Sequence, residues 1–418
     1  MRIAPDYICA AQEAPRQGAA AVAGSISLVT DGQGKATIVI AADASASVKE
    51  SANLLSGLIL ESSGAELPVG SSPAGEAVDA TVVIHVGADD YAMAADLKID
   101  KLDDDGFVIA FPDSRNIVIA GGADFGTKFG VCEFLERYVG VRWLFPGTLG
   151  RHVPHKATLA IPTQEVRQEP AFFSRLLSLG AKAPRGTRAW THLNRAHGRV
   201  SFHHNLLKLY RPSKYAKTHP HFFPMRKGKR YLPTDKAYDW QPVLTARGIV
   251  EEGVKNICAY FDEHPEATSY SLGMNDNNNF SAPEKKRNSL GKADFSDHYF
   301  GWANKISKGV SRKYPRKWLG CLAYWGTTDP PSFAVSRQIV PYICFDRMQW
   351  YNATRADFDK ARTRKWSKMC PMLGWYDYIY GDQFYRVPRV YFHLMAGYLR
   401  FAHKSGVKCY YAEAYPAP

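Results

Sequence analysis

Residues 339–378, IVPYICFDRMQWYNATRADFDKARTRKWSKMCPMLGWYDY, contain the pattern that decides the fold of this chain. Two short runs at its ends, 339–345 and 372–378, are rich in apolar, β-branched and aromatic residues and predict β-strands. The amphipathic segment between them, 355–368, predicts a helix. A strand, a helix and a second strand in this order indicate parallel β/α architecture.

The same alternation continues in both directions from residue 169 to the end of the chain. Strands are predicted at 172–179, 202–209, 241–245, 269–275, 318–324, 339–345, 372–378 and 407–413, and further helices at 249–263, 298–314 and 387–404. Eight strands in about 250 residues fit an α/β fold of the (β/α)₈ or TIM-barrel type, in which functional residues lie at the C-terminal strand ends.

The end of the chain affects this interpretation. Pro418 follows the eighth predicted strand closely, so no eighth helix covers that strand. We expect a barrel truncated at its C-terminus, within a longer protein; the alternative is that another element closes the barrel.

Residues 26–165 show a different order of elements, after an Ala/Gly-rich tail at 1–25. Strands are predicted at 36–40 and 81–85, a hairpin at 106–111 and 116–120, and helices at 48–62 and 124–138. Ser45 or Ser47 is suited to cap the first helix, and Gly64 to end it. This order predicts a small α+β domain with two helices on a mostly antiparallel sheet.

Charge divides the chain at the same place. Through residue 165 there are 12 basic and 21 acidic residues, whereas the rest of the chain has 41 basic and 19 acidic residues. A positive field favours the approach of anionic ligands, and both nucleic acid and an acidic sugar polymer fit it. A general effect on solubility is the alternative.

Several classes of protein are disfavoured. No window approaches the roughly 18 to 20 apolar residues of a membrane helix, so no membrane partner is expected. The seven cysteines form no CxxC pair and no metal-ligand spacing, which predicts reduced, buried thiols and no metal site. The N-terminus is a poor secretion signal, so we expect a cytoplasmic protein, or a secreted one whose true start is missing.

Two stretches resemble known families. Residues 116–147, NIVIAGGADFGTKFGVCEFLERYVGVRWLFPG, resemble the non-catalytic domain that precedes the barrel in family 67 α-glucuronidases and in β-hexosaminidases. The part after it resembles the family of domains of unknown function numbered 4838, which is related to glycoside hydrolases. That resemblance rests on 214–224 (KYAKTHPHFFP), 271–276 (SLGMND), 322–324 (LAY) and 410–416 (YYAEAYP).

The chain departs from the pattern of the second family at two places. His221 stands where glutamate is usual, and Asn277-Asn278-Asn279 replaces a Gly/Cys-rich run. These departures concern the identity of the substrate more than the fold.

Glycosidic bonds are usually cleaved by two carboxyl groups, and the predicted strand ends offer three. Asp276, after strand four, is the candidate general acid; the alternative is an Asx-turn or helix cap. Glu413, at the end of strand eight, is the candidate base or nucleophile, with a salt bridge to a barrel arginine as the alternative. Asp377, at the end of strand seven, could replace Glu413. Asp346 precedes Arg347, and an ion pair is expected there instead.

Other side chains near the strand ends are candidates for binding the sugar. Those that could hydrogen-bond it are His204, Asn275 and Asn277, and those that could form an aromatic platform are Trp325, Trp375 and Tyr378. The basic loop at 214–231 includes Lys214 and Arg230, which could hold a uronate or sulfate group. A solvated basic loop is the alternative, and the absence of a recognised nucleic-acid-binding motif argues against nucleic acid as a partner.

These patterns lead to two hypotheses. The first is hydrolysis of a glycosidic bond in a poly- or oligosaccharide, with an acidic, uronic-acid-containing one as a candidate, and without a cofactor. The second is a non-catalytic barrel that binds carbohydrate.

Overall fold

The computed structural model describes residues 24–72, 82–180, 183–284, 286–380 and 389–415. The chain forms two compact units: the first extends to Pro170 and includes Arg188–Arg195, and the second comprises Ala171–Thr187 and the chain from Ala196 onward. Of the predicted N-terminal tail, residues 1–23 lie outside the described residues.

The first unit combines several short strands with helices. Its strands are β1 (Ser25–Thr30), β2 (Gln33–Gly34), β3 (Ala36–Ala41), β4 (Val69–Ser72), β5 (Val82–Val86), β6 (Phe107–Ala110), β7 (Asn116–Gly121), β8 (Arg142–Trp143), β9 (Arg151–His152), β10 (Leu159–Pro162) and β11 (Val166–Gln168). Its helices are α1 (Ala46–Ser63), α2 (Asp90–Ala94) and α3 (Asp124–Phe134), and a π-helical turn over Leu135–Val139 continues α3. A further helix, α4 (Thr187–Leu193), lies mostly in this unit.

The main sheet of this unit has the order β11-β6-β7-β5-β3-β4. The predicted β6–β7 hairpin is confirmed, and β6 also pairs antiparallel with β11. The other three pairings, β7–β5, β5–β3 and β3–β4, are parallel, so this sheet is mixed. Helix α1 accounts for one parallel pair, because a strand that returns through a crossover helix pairs parallel to the first. A separate antiparallel sheet has the order β10-β1-β2.

Local sequence explains where α1 begins and ends. The Ser45 side chain accepts a hydrogen bond from the backbone N–H of Val48 at 3.2 Å, and Gly64 adopts a left-handed conformation at φ 75°. Both predictions for these residues are confirmed. The side chains of Leu55 and Ile59 are fully buried in the core of the unit.

The Gly121-Gly122 pair between β7 and α3 has a packing role. A Cβ atom on Gly121 would lie 2.2 Å from the backbone of Gly126 in α3, and one on Gly122 would lie 2.4 Å from the carbonyl oxygen of Asp103. Since backbone atoms cannot move aside cheaply, glycine at 121 allows β7 and α3 to approach closely, and glycine at 122 allows close approach to the backbone at Asp103.

The second unit is built around one parallel sheet. Its strands are β12 (Ser174–Ser178), β13 (Met225–Arg226), β14 (Lys229–Arg230), β15 (Ser269–Ser271), β16 (Trp318–Ala323), β17 (Ile339–Cys344), β18 (Leu373–Tyr380) and β19 (Val407–Ala414). Its helices are α5 (Leu206–Leu209), α6 (Pro212–Tyr215), α7 (Ile249–Glu263), α8 (Ser296–Val310), α9 (Ala353–Ser367) and α10 (Phe392–Lys404). The order β12-β19-β18-β17-β16-β15 is parallel throughout, which confirms the α/β fold and six of the eight predicted barrel strands.

The predicted strands at 202–209 and 241–245 are wrong. Leu206–Leu209 forms one helical turn, α5, whose leucines are buried, and a short apolar run cannot distinguish such a turn from a strand. Residues 241–245 form no regular element, and Pro242 within them lacks the N–H that a central strand needs.

Residues 197–205 nevertheless connect the two edges of the curled sheet. Arg175 of β12 and His197 form an antiparallel bridge, and His204 and Gly273, just beyond β15, form a parallel bridge. Close packing of this segment requires glycine in the sheet, because a Cβ atom on Gly320 would lie 2.2 Å from the carbonyl oxygen of Ser201.

Alternation along the strands separates two buried layers. One layer lies inside the curled sheet and includes Leu322, Tyr342, Tyr376 and Tyr411. The other lies between the sheet and the helices. No helix among the described residues is long and apolar enough to span a membrane.

Candidate active site

A narrow pocket of about 180 Å³ opens at the C-terminal ends of the parallel strands. Its walls are formed by His204, Asp276, Leu322, Tyr324, Cys344, Tyr376, Tyr378 and Glu413. The pocket therefore brings together two of the three predicted catalytic carboxyl groups and two of the predicted binding residues, His204 and Tyr378. This is the edge of a (β/α)₈ barrel at which active sites are built.

Glu413, near the end of β19, is held by two tyrosine hydroxyls. Tyr376 and Tyr415 both donate to its Oε1 atom, Tyr415 at 2.9 Å. Burial raises the pKa of both phenols well above the usual value of 10, so both remain protonated donors. These two hydrogen bonds hold the carboxyl group of Glu413 in place on the wall of the pocket.

Asp276 lies at the rim of the same pocket, after β15. Its side chain is 53% exposed, and its Oδ1 atom is 3.7 Å from Nε2 of His204. The other ring nitrogen of His204, Nδ1, donates to the carbonyl oxygen of Met274, which fixes the ring. Nε2 therefore faces Asp276, in a position to exchange a proton with it through a small movement.

Asp377 does not reach the pocket. It is fully buried on the other face of β18, where it accepts hydrogen bonds from the backbone N–H of Arg347 at 3.0 Å and from the hydroxyl of Tyr410 at 2.9 Å. Successive side chains of a strand point to opposite faces, so Tyr376 and Tyr378 line the pocket while Trp375 and Asp377 pack against the helices. Trp375 is fully buried there, with the guanidinium of Arg347 3.6 Å from its ring.

Asn275 and Asn277 hold a neighbouring loop. Asn275 is fully buried and donates from Nδ2 to the carbonyl oxygen of Trp240 at 2.7 Å, while its Oδ1 accepts from Leu207. Asn277 donates from Nδ2 to the carbonyl oxygens of Tyr238 and Trp240, at 2.5 and 3.1 Å. Their amide groups thus position the backbone at 238–240.

The remaining predicted binding residues lie elsewhere in the second unit. Trp325 is 39% exposed, adopts φ 50° and packs on Tyr324, a wall of the pocket. Lys214 donates to Asn256 at 2.8 Å, and Arg230 donates to the carbonyl oxygen of Phe223 at 2.6 Å. Asp346 forms an ion pair with Arg389, not with the adjacent Arg347 as predicted.

A groove extends from the narrow pocket along one side. A second cavity, of about 480 Å³, shares His204 and Asp276 with the pocket and adds Tyr238, Asp239, Asn277 and Asn279. A third, of about 530 Å³, shares Asp239 and Asn279 with the second and includes Arg226. Through these shared wall residues the second cavity adjoins the pocket and the third adjoins the second, and the two wider cavities are together called the groove.

Sequence reasoning missed several residues of these walls. Tyr376 is the clearest case, because the period of two along β18 and β19 places it on the same face as Glu413 when the two strands are neighbours. Tyr238 and Asp239 carried no comparable signal, since they belong to a loop without a regular pattern. Among the described residues no group of histidines, cysteines and carboxylates is arranged to hold a metal ion.

One family model covers the second unit and the last part of the first unit. The model of the family described as Domain of unknown function (DUF4838) matches residues 145–417. No curated protein matches the chain.

Two solved structures share the fold. One is a family GH115 4-O-methyl-α-glucuronidase with specificity for decorated arabinogalactans; it is 16% identical, with a TM-score of 0.55, over 93% of this chain and 54% of its own length. The other is the N-acetyl-β-hexosaminidase of Streptomyces plicatus, which is 10% identical, with a TM-score of 0.50, over 94% of this chain and 83% of its own. At these identities the likeness concerns the fold, which is that of glycoside hydrolases.

Proposed function

The chain belongs to the DUF4838 family, and from that premise we propose that it hydrolyses a glycosidic bond in a poly- or oligosaccharide, with Asp276 as general acid and Glu413 as base or nucleophile. One observation carries the proposal: both carboxyl groups line the same narrow pocket at the C-terminal strand ends. Two carboxyl groups flanking one bond are what glycosidic hydrolysis needs.

Each carboxyl group suits a different role. Glu413 accepts two phenolic hydrogen bonds on Oε1, so as a carboxylate it can use Oε2 to deprotonate water or to attack the anomeric carbon. Asp276, at the rim, donates its proton to the glycosidic oxygen as the bond to the anomeric carbon breaks. His204 is placed to exchange a proton with Asp276 afterwards.

The wall of tyrosines suits a sugar ring. Tyr324, Tyr376 and Tyr378 all line the pocket. Pyranose C–H groups pack on aromatic faces, and buried hydroxyl groups hydrogen-bond the sugar.

We further propose that the saccharide is anionic, such as one bearing uronic acids. Residues from 166 onward carry 41 basic and 19 acidic side chains, and their positive field raises the local concentration of anionic polymers. The related GH115 structure is that of a glucuronidase, which motivates the same choice.

The test is a panel of polysaccharides that includes uronic-acid-bearing ones and decorated arabinogalactans, with release of reducing ends as the readout. We expect activity on an anionic member and a loss of at least about a thousandfold in Asp276→Asn and Glu413→Gln, since loss of the proton donor, or of the base or nucleophile, removes several kcal/mol of transition-state stabilisation. Asp357→Asn, which changes a 79% exposed carboxylate on α9, serves as the control and should be unaffected.

Two results would contradict the proposal. Undiminished activity in Asp276→Asn would remove this residue from the catalytic role. Binding of a polysaccharide without hydrolysis of any panel member would favour the carbohydrate-binding barrel instead.

A further inference from the structure

The three connected cavities differ in which carboxyl group they contain. Glu413 lines the narrow pocket and not the two wider cavities, whereas Asp276 lines both the pocket and the second cavity. Under the proposed function, Glu413 acts at the anomeric carbon and Asp276 at the leaving oxygen. The sugar that is attacked therefore occupies the narrow pocket, and the leaving saccharide extends into the groove.

The size of each part agrees with this orientation. About 180 Å³ is well below the roughly 300–1,000 Å³ of pockets that enclose drug-sized ligands, so the narrow pocket holds a single sugar residue. The second and third cavities, of about 480 and 530 Å³, provide room for further residues of the same chain.

Tyr238 has the properties of a sugar platform in the second cavity. The residue is 53% exposed. Large aromatic side chains are usually buried, and an exposed one beside a binding groove offers a face on which a pyranose ring can stack.

Hydrogen bonds from neighbouring side chains hold the backbone that carries Tyr238. Asn277 holds the carbonyl oxygens of Tyr238 and Trp240, and Asn279 holds that of Asp239 at 2.8 Å. The Trp240 side chain is fully buried, and the side chain of Gln241 donates to the carbonyl oxygens of Asn275 and Asn277. A platform on a fixed loop binds with a smaller loss of conformational entropy than one on a mobile loop.

We propose that Tyr238 forms the subsite for the leaving part of the saccharide, with the sugar ring next to the scissile bond stacked on its phenol ring. Asp239 and Asn279, which line both wider cavities, lie where the hydroxyl groups of that part of the chain pass. This inference rests on the proposed function for its direction, but the binding itself does not require catalysis.

The experiment measures binding apart from hydrolysis. Asp276→Asn protein is run in native gels that contain each polysaccharide of the panel, and its retardation gives the affinity. In that background, Tyr238→Ala should weaken binding about tenfold, which corresponds to about 1.4 kcal/mol, and Tyr238→Phe should restore it because the ring is kept. Tyr351→Ala is the matched control: Tyr351 is 57% exposed and does not line any of the three cavities.

The outcomes separate the two proposals. Equal retardation of the Tyr238→Ala and Tyr351→Ala proteins, or no retardation by any polysaccharide, would overturn the subsite. Tyr238-dependent retardation without hydrolysis by the unsubstituted protein would support the subsite and contradict the proposed function. Hydrolysis together with an affinity that does not depend on Tyr238 would support the proposed function and contradict the subsite.

Discussion

At the scale of single residues, two hydrogen bonds hold the carboxyl group of Glu413 in the candidate site. Tyr376 lies inside the curled sheet and Tyr415 follows β19, and both bonds end on Oε1. Hydrogen bonds to a charged group contribute roughly 1.5–3 kcal/mol each, more than neutral ones. Loss of either hydroxyl should therefore disturb the position and charge distribution of Glu413 more than it disturbs the fold.

We predict that Tyr376→Phe and Tyr415→Phe each lower kcat/KM by roughly ten- to a hundredfold, because each removes one charge-assisted hydrogen bond. Rates on the active polysaccharide and the midpoint of urea unfolding are measured for both variants and for Tyr351→Phe as a control. If both variants keep the full rate, the tyrosines do not position Glu413.

Substitution of Asp377 is expected to lower stability and to leave catalysis by the folded protein unchanged. It is fully buried and bonds to the backbone of Arg347 and to the hydroxyl of Tyr410 on the face of β18 away from the pocket. Asp377→Asn should lower the free energy of unfolding by roughly 1–3 kcal/mol, because it leaves a buried donor poorly paired. Urea unfolding and kcat of the folded fraction test this: a collapse of kcat with unchanged stability would return Asp377 to the catalytic role.

At the scale of elements, the passage of residues 197–205 across the open side of the sheet depends on glycine. A Cβ atom on Gly273 would lie 2.3 Å from the carbonyl oxygens of both Phe202 and His203. Since His204 belongs to this segment and lines the pocket, the same contact also positions one wall of the candidate site.

Gly273→Ala should therefore destabilise the protein by roughly 2–3 kcal/mol, as overpacking against backbone does. Gly397→Ala is the matched control, because nothing lies within 4 Å of its Cβ position and alanine favours the helix α10; it should stabilise by about 0.5–1 kcal/mol. Both values come from denaturant unfolding. Equal stability of the two variants would show that the segment does not pack against Gly273 in this way.

The elements also show how far the sequence could be interpreted. Helix α7 has the predicted bounds, Ile249–Glu263. Six barrel strands lie at the predicted apolar runs, because a strand buried on both faces needs apolar residues along its length. The segments at 202–209 and 241–245 failed, because burial there is achieved by a helical turn and a loop. The hydrogen bond between Glu413 and Tyr376 forms because β18 and β19 are neighbours in the sheet. The local sequence of one strand does not predict which strand lies beside it.

At the scale of the whole molecule, several tyrosines of the second unit are fully buried. Burial raises the pKa of Tyr210, Tyr299 and Tyr342 well above the usual value of 10. Below pH 10 these groups are protonated in both states and do not affect stability. Above it the unfolded chain loses protons that the folded chain retains, so the free energy of unfolding falls as pH rises.

We predict that phenolate absorbance from these side chains appears above pH 10 together with the loss of secondary structure, in one transition. Phenolate absorbance and circular dichroism are followed through the same titration. Full ionisation of all tyrosines at pH values where the helical signal is unchanged would contradict their burial.

The dimensions of the groove finally predict the order in which products appear. If a single sugar residue fills the narrow pocket beside Glu413 and the rest of the chain lies along Tyr238, each hydrolytic event removes one terminal residue. Monosaccharide should then be the first product from a long chain, and intermediate lengths should shorten one residue at a time. Chromatography of early time points tests this, with Tyr238→Ala expected to slow disaccharides and long chains by a similar factor, because in both the residue next to the scissile bond stacks on Tyr238. Early release of oligosaccharides of mixed length would mean that the chain passes through the narrow pocket on both sides of the scissile bond.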